Sequence, residues 1–338
     1  MTRNLCFMSQ SFAVSRRAFL ATSAAALGLP LAAPALAQSR AWAGRAEGLD
    51  QLHTLQVWRG GAPLYEEAFR GPGLDRIANV KSVSKTLVAL LTGIAIEQGE
   101  IGGVEAPVLP LLGRAPTGDS RDDLTVGDLL SMRGGLVRTS GASYGAWVAS
   151  DNWLDSALQP DPQARPGGRF IYSTGGWHVL GAALSAVTGE SLLSLARSGL
   201  GDPLGIDVAP WVRDPQGRYL GGNDMGLTPR GLLRIGEMVR QNGHWQGRQV
   251  VPQRWIETSW QPRARSPFSG DQYGYGWFLT RFDGAQAAYA RGYGGQMLVV
   301  VPQREMVIAI TSDPMRPARS GGYFGDLRAL VDQIVSDA

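Results

Sequence analysis

Of the 32 basic residues in this 338-residue sequence only Lys81 and Lys85 are lysine, and both stand beside Ser82. Arginine keeps its proton in proteins, whereas a desolvated lysine can lose it and serve as a base. A lysine at its ordinary pKa is neutral at pH 7 only about one part in a few thousand, so burial and neighbouring cations must lower it first. In Ser82-Val83-Ser84-Lys85 the hydroxyl and the amine lie three residues apart, which puts them on one helix face and within mutual reach. The partial positive charge and free N–H groups at the start of such a helix favour both an alkoxide and a neutral amine. The chemistry offered is attack by a serine whose proton a lysine accepts. By itself the spacing is common, and a serine N-cap beside a solvent-facing lysine would be spelled the same way.

Other residues compete for the role. Gly141-Ala142-Ser143-Tyr144-Gly145 matches G-x-S-x-G, with His178 and His244 downstream to complete a Ser-His-Asp arrangement. That elbow needs a buried strand ahead of the serine, and residues 134–141 are too short and polar to make one. His178 falls in an apolar helical stretch and reads as a packed or lobe-surface histidine. His53, His178 and His244 lack metal-ligand spacing, so neither a metal nor an organic cofactor is implied. Trp153, Trp177, Tyr275 and Trp277 read first as core, with Tyr275 and Trp153 the candidates for a cleft wall.

The elements that must position Ser82 follow from patterning. Leu52–Arg70 reads as a hairpin turning at Gly60-Gly61, and Ser82–Gln98 as a helix that Gly99 ends. Gly176–Val187 is the clearest helix of a middle region rich in glycine and proline, and Thr228-Pro229 supplies the N-cap and first position of another. Met297–Val301 and Met306–Thr311 are β-branched, apolar and buried on both faces as a second hairpin, and Phe324–Val335 is a terminal amphipathic helix. Strands at both ends with helices between predict an α+β fold: an antiparallel sheet built from both chain ends (residues 48–100 and 215–338), and a mostly helical lobe over residues 101–214. A polar link is expected near Gln38–Glu47.

Residues 1–37 read as an address. Arg16-Arg17 precede an Ala/Leu-rich run that ends in Ala35-Leu36-Ala37, the pattern of a twin-arginine export signal, so the mature domain is expected over residues 38–338 in the periplasm or outside the cell. The run is Ala-rich and broken by Pro30 and Pro34, which argues against a membrane anchor. Without its three arginines the chain holds 29 basic and 29 acidic residues, so the pI of 9.2 belongs mostly to the leader and no basic patch calls for nucleic acid or anionic lipid. Cys6 leaves with the leader, which removes disulfides and a cysteine nucleophile from consideration.

Several segments, taken in order, carry a family likeness. Ile77–Leu87, Leu124–Leu136, Pro166–Thr174, Tyr273-Gly274-Tyr275-Gly276-Trp277 and Gly292-Tyr293-Gly294-Gly295-Gln296 resemble motifs of the serine β-lactamase and penicillin-binding superfamily, in the class C-related branch that includes esterases, D-amino-acid amidases and nylon-oligomer hydrolases. The likeness runs from about Leu52 to the end. It implies a β-lactamase/transpeptidase-like fold and an acyl-enzyme on Ser82, with Lys85 as proton acceptor. Tyr172, tuned by the nearby positive charge, would pass the proton to the leaving group. The backbone N–H groups of Ser82 and Gln296 would hold the oxyanion, with the Gly294-Gly295 pair letting substrate approach the strand edge. Two positions depart from the pattern. Thr174 stands where the tyrosine motif usually ends in asparagine, and Tyr293 where a lysine or histidine usually holds a substrate carboxylate, although Arg291 is near enough in sequence to compensate. These departures point to a small ester, amide or peptide substrate with no obligatory carboxylate. A β-lactamase or D,D-peptidase, and a non-catalytic cell-wall-binding module, are the alternatives.

Overall fold

The computed structural model describes residues 41–159 and 162–338; the leader expected over residues 1–37 lies outside the described residues. Strands β1 (Leu52–Arg59) and β2 (Ala62–Ala68) form the first hairpin, and Gly60 and Gly61 turn it with φ of +58° and +81°, which glycine adopts without strain. The C-terminal part supplies β3 (Ala264–Arg265), β4 (Gln272–Tyr273), β5 (Phe278–Phe282), β6 (Ala285–Gly292), β7 (Gln296–Val301) and β8 (Met306–Ser312). These eight strands make one sheet in the order β2-β1-β8-β7-β6-β5-β4-β3, every neighbouring pair antiparallel. The two ends of the chain meet inside it, with Val57 opposite Ile308 and Arg59 opposite Met306.

β7 and β8 are buried along their whole length, because helices cover both faces of the sheet. Four longer helices do most of the covering or carry the site. They are α1 (Ser84–Glu97), α2 (Thr174–Thr188), α3 (Pro229–Arg240) and α4 (Tyr323–Asp337). α3 starts as the sequence predicts, with Thr228 Oγ1 accepting from the Gly231 N–H at 2.9 Å, and it approaches the sheet so closely that a Cβ on Gly236 would lie 2.5 Å from Val307 Cγ1. α1 is apolar nearly all round and is buried to match, with Leu87, Val88 and Leu90 at 0–1% exposure. From Val108 to Leu204 the described chain forms helices and loops and gives no strand to the large sheet.

Two small features matter. A three-stranded ribbon pairs Ala78–Asn79 with Gly226–Leu227, and the latter with Val208–Ala209. The link expected near Glu47 differs: residues 41–47 are helical, with Trp42 buried and its Nε1 donating to Asp337 Oδ2 at 2.9 Å, because this turn packs against the C-terminal helix rather than facing solvent. No single described helix is long and apolar enough to cross a membrane.

Candidate active site

Ser82 occupies a single 3-10 turn, Lys81–Val83, that runs directly into α1. Its predecessor Lys81 has φ +50°, a left-handed conformation that costs a long side chain on the order of 1–3 kcal/mol and must be held by its surroundings. Three contacts hold it. The Lys81 N–H donates to Asn79 Oδ1 at 2.9 Å, Ser84 Oγ donates to the Lys81 carbonyl at 2.5 Å, and Lys81 Nζ pairs with Asp224 Oδ1 at 2.8 Å. The ribbon pairing of Ala78–Asn79 with Gly226–Leu227 is what brings Asn79 and Asp224 to the same place.

Lys85 lies one turn further on, 2% exposed, and does not face solvent. Its Nζ reaches Ser82 Oγ at 3.0 Å, Thr174 Oγ1 at 3.3 Å and the Gly222 carbonyl at 2.5 Å. Burial lowers its pKa to about 7, against the pull of the Asp224 carboxylate in the other direction. At neutral pH the amine is therefore free in about half the molecules.

Tyr172 stands one residue ahead of Ser173, whose Oγ accepts from the Gly176 N–H at 3.2 Å and caps α2. That cap fixes where the tyrosine enters the site. Lys85 Nζ sits 5.1 Å from the centre of its ring. The family likeness implies a phenol tuned by nearby positive charge. Instead burial dominates and pushes its pKa up, against the Ser82 hydrogen bond and the Arg291 charge, so at neutral pH Tyr172 is a proton donor. Thr174 is 3% exposed, and its hydroxyl also bonds Ser140 Oγ at 2.8 Å; it keeps the contact with Lys85 but brings no amide.

An amide arrives from the segment 221–224. Ser82 Oγ donates to Asn223 Oδ1 at 3.2 Å. Gly221 and Gly222 permit the approach: a Cβ on Gly221 would lie 2.3 Å from the Trp177 carbonyl oxygen, and one on Gly222 would lie 2.7 Å from Trp177 Cβ. The paired glycines ahead of Asn223-Asp224 were the only signal in the sequence.

The glycine motif near the C-terminus lands differently from expectation. Gly292, at the end of β6, meets the nucleophile turn, where a Cβ would lie 2.5 Å from the Val80 carbonyl oxygen and 2.9 Å from Lys81 Cβ. Gly295 packs instead against Tyr323 and Leu327. Gln296 is fully buried, its side chain exchanging hydrogen bonds with the Ser312 backbone at 2.7 and 3.1 Å, and neither residue borders the cleft. The β6–β7 turn spends residues 293–295 on a 3-10 turn, which moves the motif's second half away from Ser82. Tyr293 is half-exposed at the cleft rim, and Arg291 borders the cleft with its guanidinium 3.5 Å from the centre of the Phe324 ring.

Ser82 opens into a cleft of about 560 Å³. Its apolar wall comes from Phe268, Phe278, Pro314 and Met315. Trp153, Trp177, Tyr275 and Trp277 are at most 5% exposed and do not border it, so the cleft-wall expectation for Tyr275 and Trp153 is corrected: both are core. Ser143 is exposed in a short 3-10 turn, and His178 is fully buried with Nε2 3.1 Å from Asp214 Oδ2, so no elbow triad assembles there. Among the described residues no three His, Cys, Asp or Glu side chains gather as a metal would require.

An antiparallel sheet between helical layers, with a serine in the turn that leads into a helix carrying a buried lysine, is the architecture of the β-lactamase/transpeptidase-like hydrolases. The Beta-lactamase family model matches residues 49–333, and the chain belongs to that family. Solved structures share the fold at low identity. "Putative 6-aminohexanoate-dimer hydrolase from Bacillus anthracis" superposes with a TM-score of 0.74 at 19% identity, over 86% of this chain and 80% of that one. EstCE1, described as a hydrolase with promiscuous acyltransferase activity, gives 0.70 at 20% over 89% and 98%. An octameric penicillin-binding protein homologue from Pyrococcus abyssi gives 0.67 at 19% over 87% and 77%. No curated protein matches the chain by sequence.

Proposed function

We propose that this chain is an exported serine hydrolase that cleaves an ester or amide through an acyl-enzyme on Ser82. The observation that carries this reading is the 3.0 Å contact between Ser82 Oγ and a lysine amine that burial holds near neutrality. Ser82 Oγ bonds to the substrate carbonyl carbon as its proton passes to Lys85. The oxyanion is held by the backbone N–H of Ser82 and a second N–H at the Gly292–Tyr293 strand end, the position the packing of Gly292 favours over Gln296. Collapse of the tetrahedral intermediate breaks the bond to the alcohol or amine, which takes a proton from Tyr172, replenished by Lys85. Water then attacks the acyl carbon and gives its proton back through the same pair, releasing the acid and restoring the Ser82 hydroxyl. The apolar wall of Phe268, Phe278, Pro314 and Met315 suits an uncharged acyl group.

Arg291 favours a second reading. It borders the cleft, and among the described residues it makes no carboxylate pair, its hydrogen bonds going to Ser320 Oγ and the Ala318 carbonyl at 3.3 and 3.4 Å. A substrate carboxylate, as in a β-lactam or a D-amino-acid peptide, would complement it. Incubation with a fluorophosphonate followed by peptide mass spectrometry is expected to find one adduct, on Ser82. An adduct on Ser143, or none on a folded protein, overturns the reading, the latter outcome favouring a binding module. Turnover of short-chain p-nitrophenyl esters against nitrocefin then separates the two substrate classes.

A further inference from the structure

We propose that Asn223 is a further catalytic residue: its carboxamide oxygen, aimed by Asp224, holds the Ser82 hydroxyl proton while Lys85 is charged and hands it over when Lys85 is free. This rests on the reading of Ser82 as nucleophile and Lys85 as its base. Lys85 Nζ has three acceptors around it, Gly222 O, Ser82 Oγ and Thr174 Oγ1, and an ammonium has three N–H bonds to give them. In that state the Ser82 O–H cannot point at Lys85; Tyr172, protonated at neutral pH, can give its own hydrogen bond to Ser82 Oγ, and the acceptor left for the Ser82 proton is Asn223 Oδ1 at 3.2 Å. When Lys85 releases one proton to solvent, two N–H bonds and a lone pair remain. The Gly222 carbonyl only accepts, so it keeps one N–H; Thr174 takes the second; the lone pair faces Ser82. Rotation about the Ser82 Cβ–Oγ bond then swings the hydroxyl proton from Asn223 to Lys85, with no heavy atom displaced.

The amide must present its oxygen and not its nitrogen for this to work, and Asp224 decides that. Asn223 Nδ2 lies 3.1 Å from Asp224 Oδ2 and 3.2 Å from the Tyr144 hydroxyl, and a carboxylate can only accept. Asp224 is itself held on its other oxygen by Lys81 Nζ and Asn79 Nδ2, each at 2.8 Å. The chain of contacts from Lys81 and Asn79 through Asp224 and Asn223 thus ends on the reacting oxygen. It also restores to the site the amide that Thr174 does not bring. Besides Lys85, the charged and titratable groups facing this corner are Lys81, Asp224, Arg138, Tyr144, Tyr172 and Arg291.

The test is the rate of fluorophosphonate labelling of Ser82 from pH 5 to 9 in the full chain, for wild type, Asn223→Ala and Asn223→Asp, each checked for folding by circular dichroism. Asn223→Ala is expected to label about tenfold more slowly, the worth of one lost hydrogen bond on the nucleophile. Asn223→Asp keeps the shape and adds a negative charge that favours the ammonium, so the rising limb of its profile is expected to move up by about one pH unit. Labelling at the wild-type rate in both variants, or a slowed Asn223→Ala beside an unmoved Asn223→Asp limb, overturns the proposal. Absence of Ser82 labelling in the wild type is a different failure: the hydrolase reading itself falls, and the role of Asn223 with it. If Asn223→Ala does not fold, the limb of Asn223→Asp decides alone.

Discussion

Replacing Lys85 by arginine keeps a cation in the site and removes the group that can lose its proton, so it isolates the base. At its ordinary pKa of 10.5 a lysine at pH 7 would be neutral about one part in 3000, whereas near 7 it is neutral in about half the molecules. Burial therefore supplies roughly a thousandfold more of the reactive form, and a well-placed general base contributes about 10²–10⁴ in rate. A guanidinium can still donate to the Gly222 carbonyl and the Thr174 hydroxyl, the acceptors that Lys85 uses now. Lys85→Arg is accordingly expected to lose about 10³ in kcat/KM on a p-nitrophenyl ester, down toward the Ser82→Ala background. The pH profile carries the sharper signature. Wild-type kcat/KM is expected to rise with pH and level off above about 7, because a protonated Lys85 cannot accept the serine proton. The variant loses this limb. Turnover within tenfold of wild type with the limb intact would refute the assignment of Lys85 as base, whatever Ser82 does.

The same burial has a stability consequence. Folded Lys85 binds its proton less readily than unfolded Lys85, so from pH about 7 up to 10.5 the unfolded chain holds the extra proton and stability rises with pH. Below about 7 the full penalty of a buried charge is present. Lys85→Met removes that penalty but leaves the Gly222 carbonyl short of a donor, so a net gain of about 1–3 kcal/mol is expected near pH 6, shrinking toward pH 10, in urea melts of a protein without turnover. A variant less stable than wild type across the range would show that the charge is not penalised. Gly222→Ala places a Cβ 2.7 Å from Trp177 Cβ and 3.4 Å from Lys85 Nζ, which must displace the carbonyl that holds the lysine. It is expected to cost about 1–3 kcal/mol in melting experiments and at least about tenfold in kcat, and wild-type kcat would remove the carbonyl from the argument.

What could be read from the sequence divides along physical lines. The hairpin at Gly60-Gly61, the apolar strands of β7 and β8, the Thr228 N-cap and the terminal helix are local or periodic features, and each lies where its pattern placed it, to within a residue or two. Lys85 was legible for a chemical reason, since in a chain that spells its cations as arginine a lysine is the one cation able to lose its proton. Asn223 was not legible. It is 141 residues from Ser82, and the ribbon that joins them pairs only two residues on each side, too few for any alternation to register. The glycine motif misled for a related reason. Gly292, Gly294 and Gly295 are alike on paper, but the 3-10 turn over 293–295 sends only the first of them against the nucleophile.

The two departures from the family pattern have different weights once the contacts are counted. Thr174 Oγ1 still accepts from Lys85 Nζ, so an asparagine missing from that position takes away an amide without taking away a lysine contact, and Asn223 brings an amide to the same serine. Around Ser82 the lysine contact and the amide are thus both present, supplied by Thr174 and Asn223. Tyr293 has no such replacement at its own position. It is half-exposed at the rim, and the cation of that corner is Arg291, two residues earlier on the far side of Gly292 and pressed against Phe324. A carboxylate drawn to Arg291 would sit deeper and closer to β6 than one held at position 293, and Phe278 and Ala318 border the same space. Desolvating a carboxylate among apolar side chains costs several kcal/mol unless its hydrogen bonds are fully replaced, and Arg291 already spends two of its donors on Ser320 and Ala318. The proposed neutral acyl substrate therefore fits these contacts better than one that carries a carboxylate.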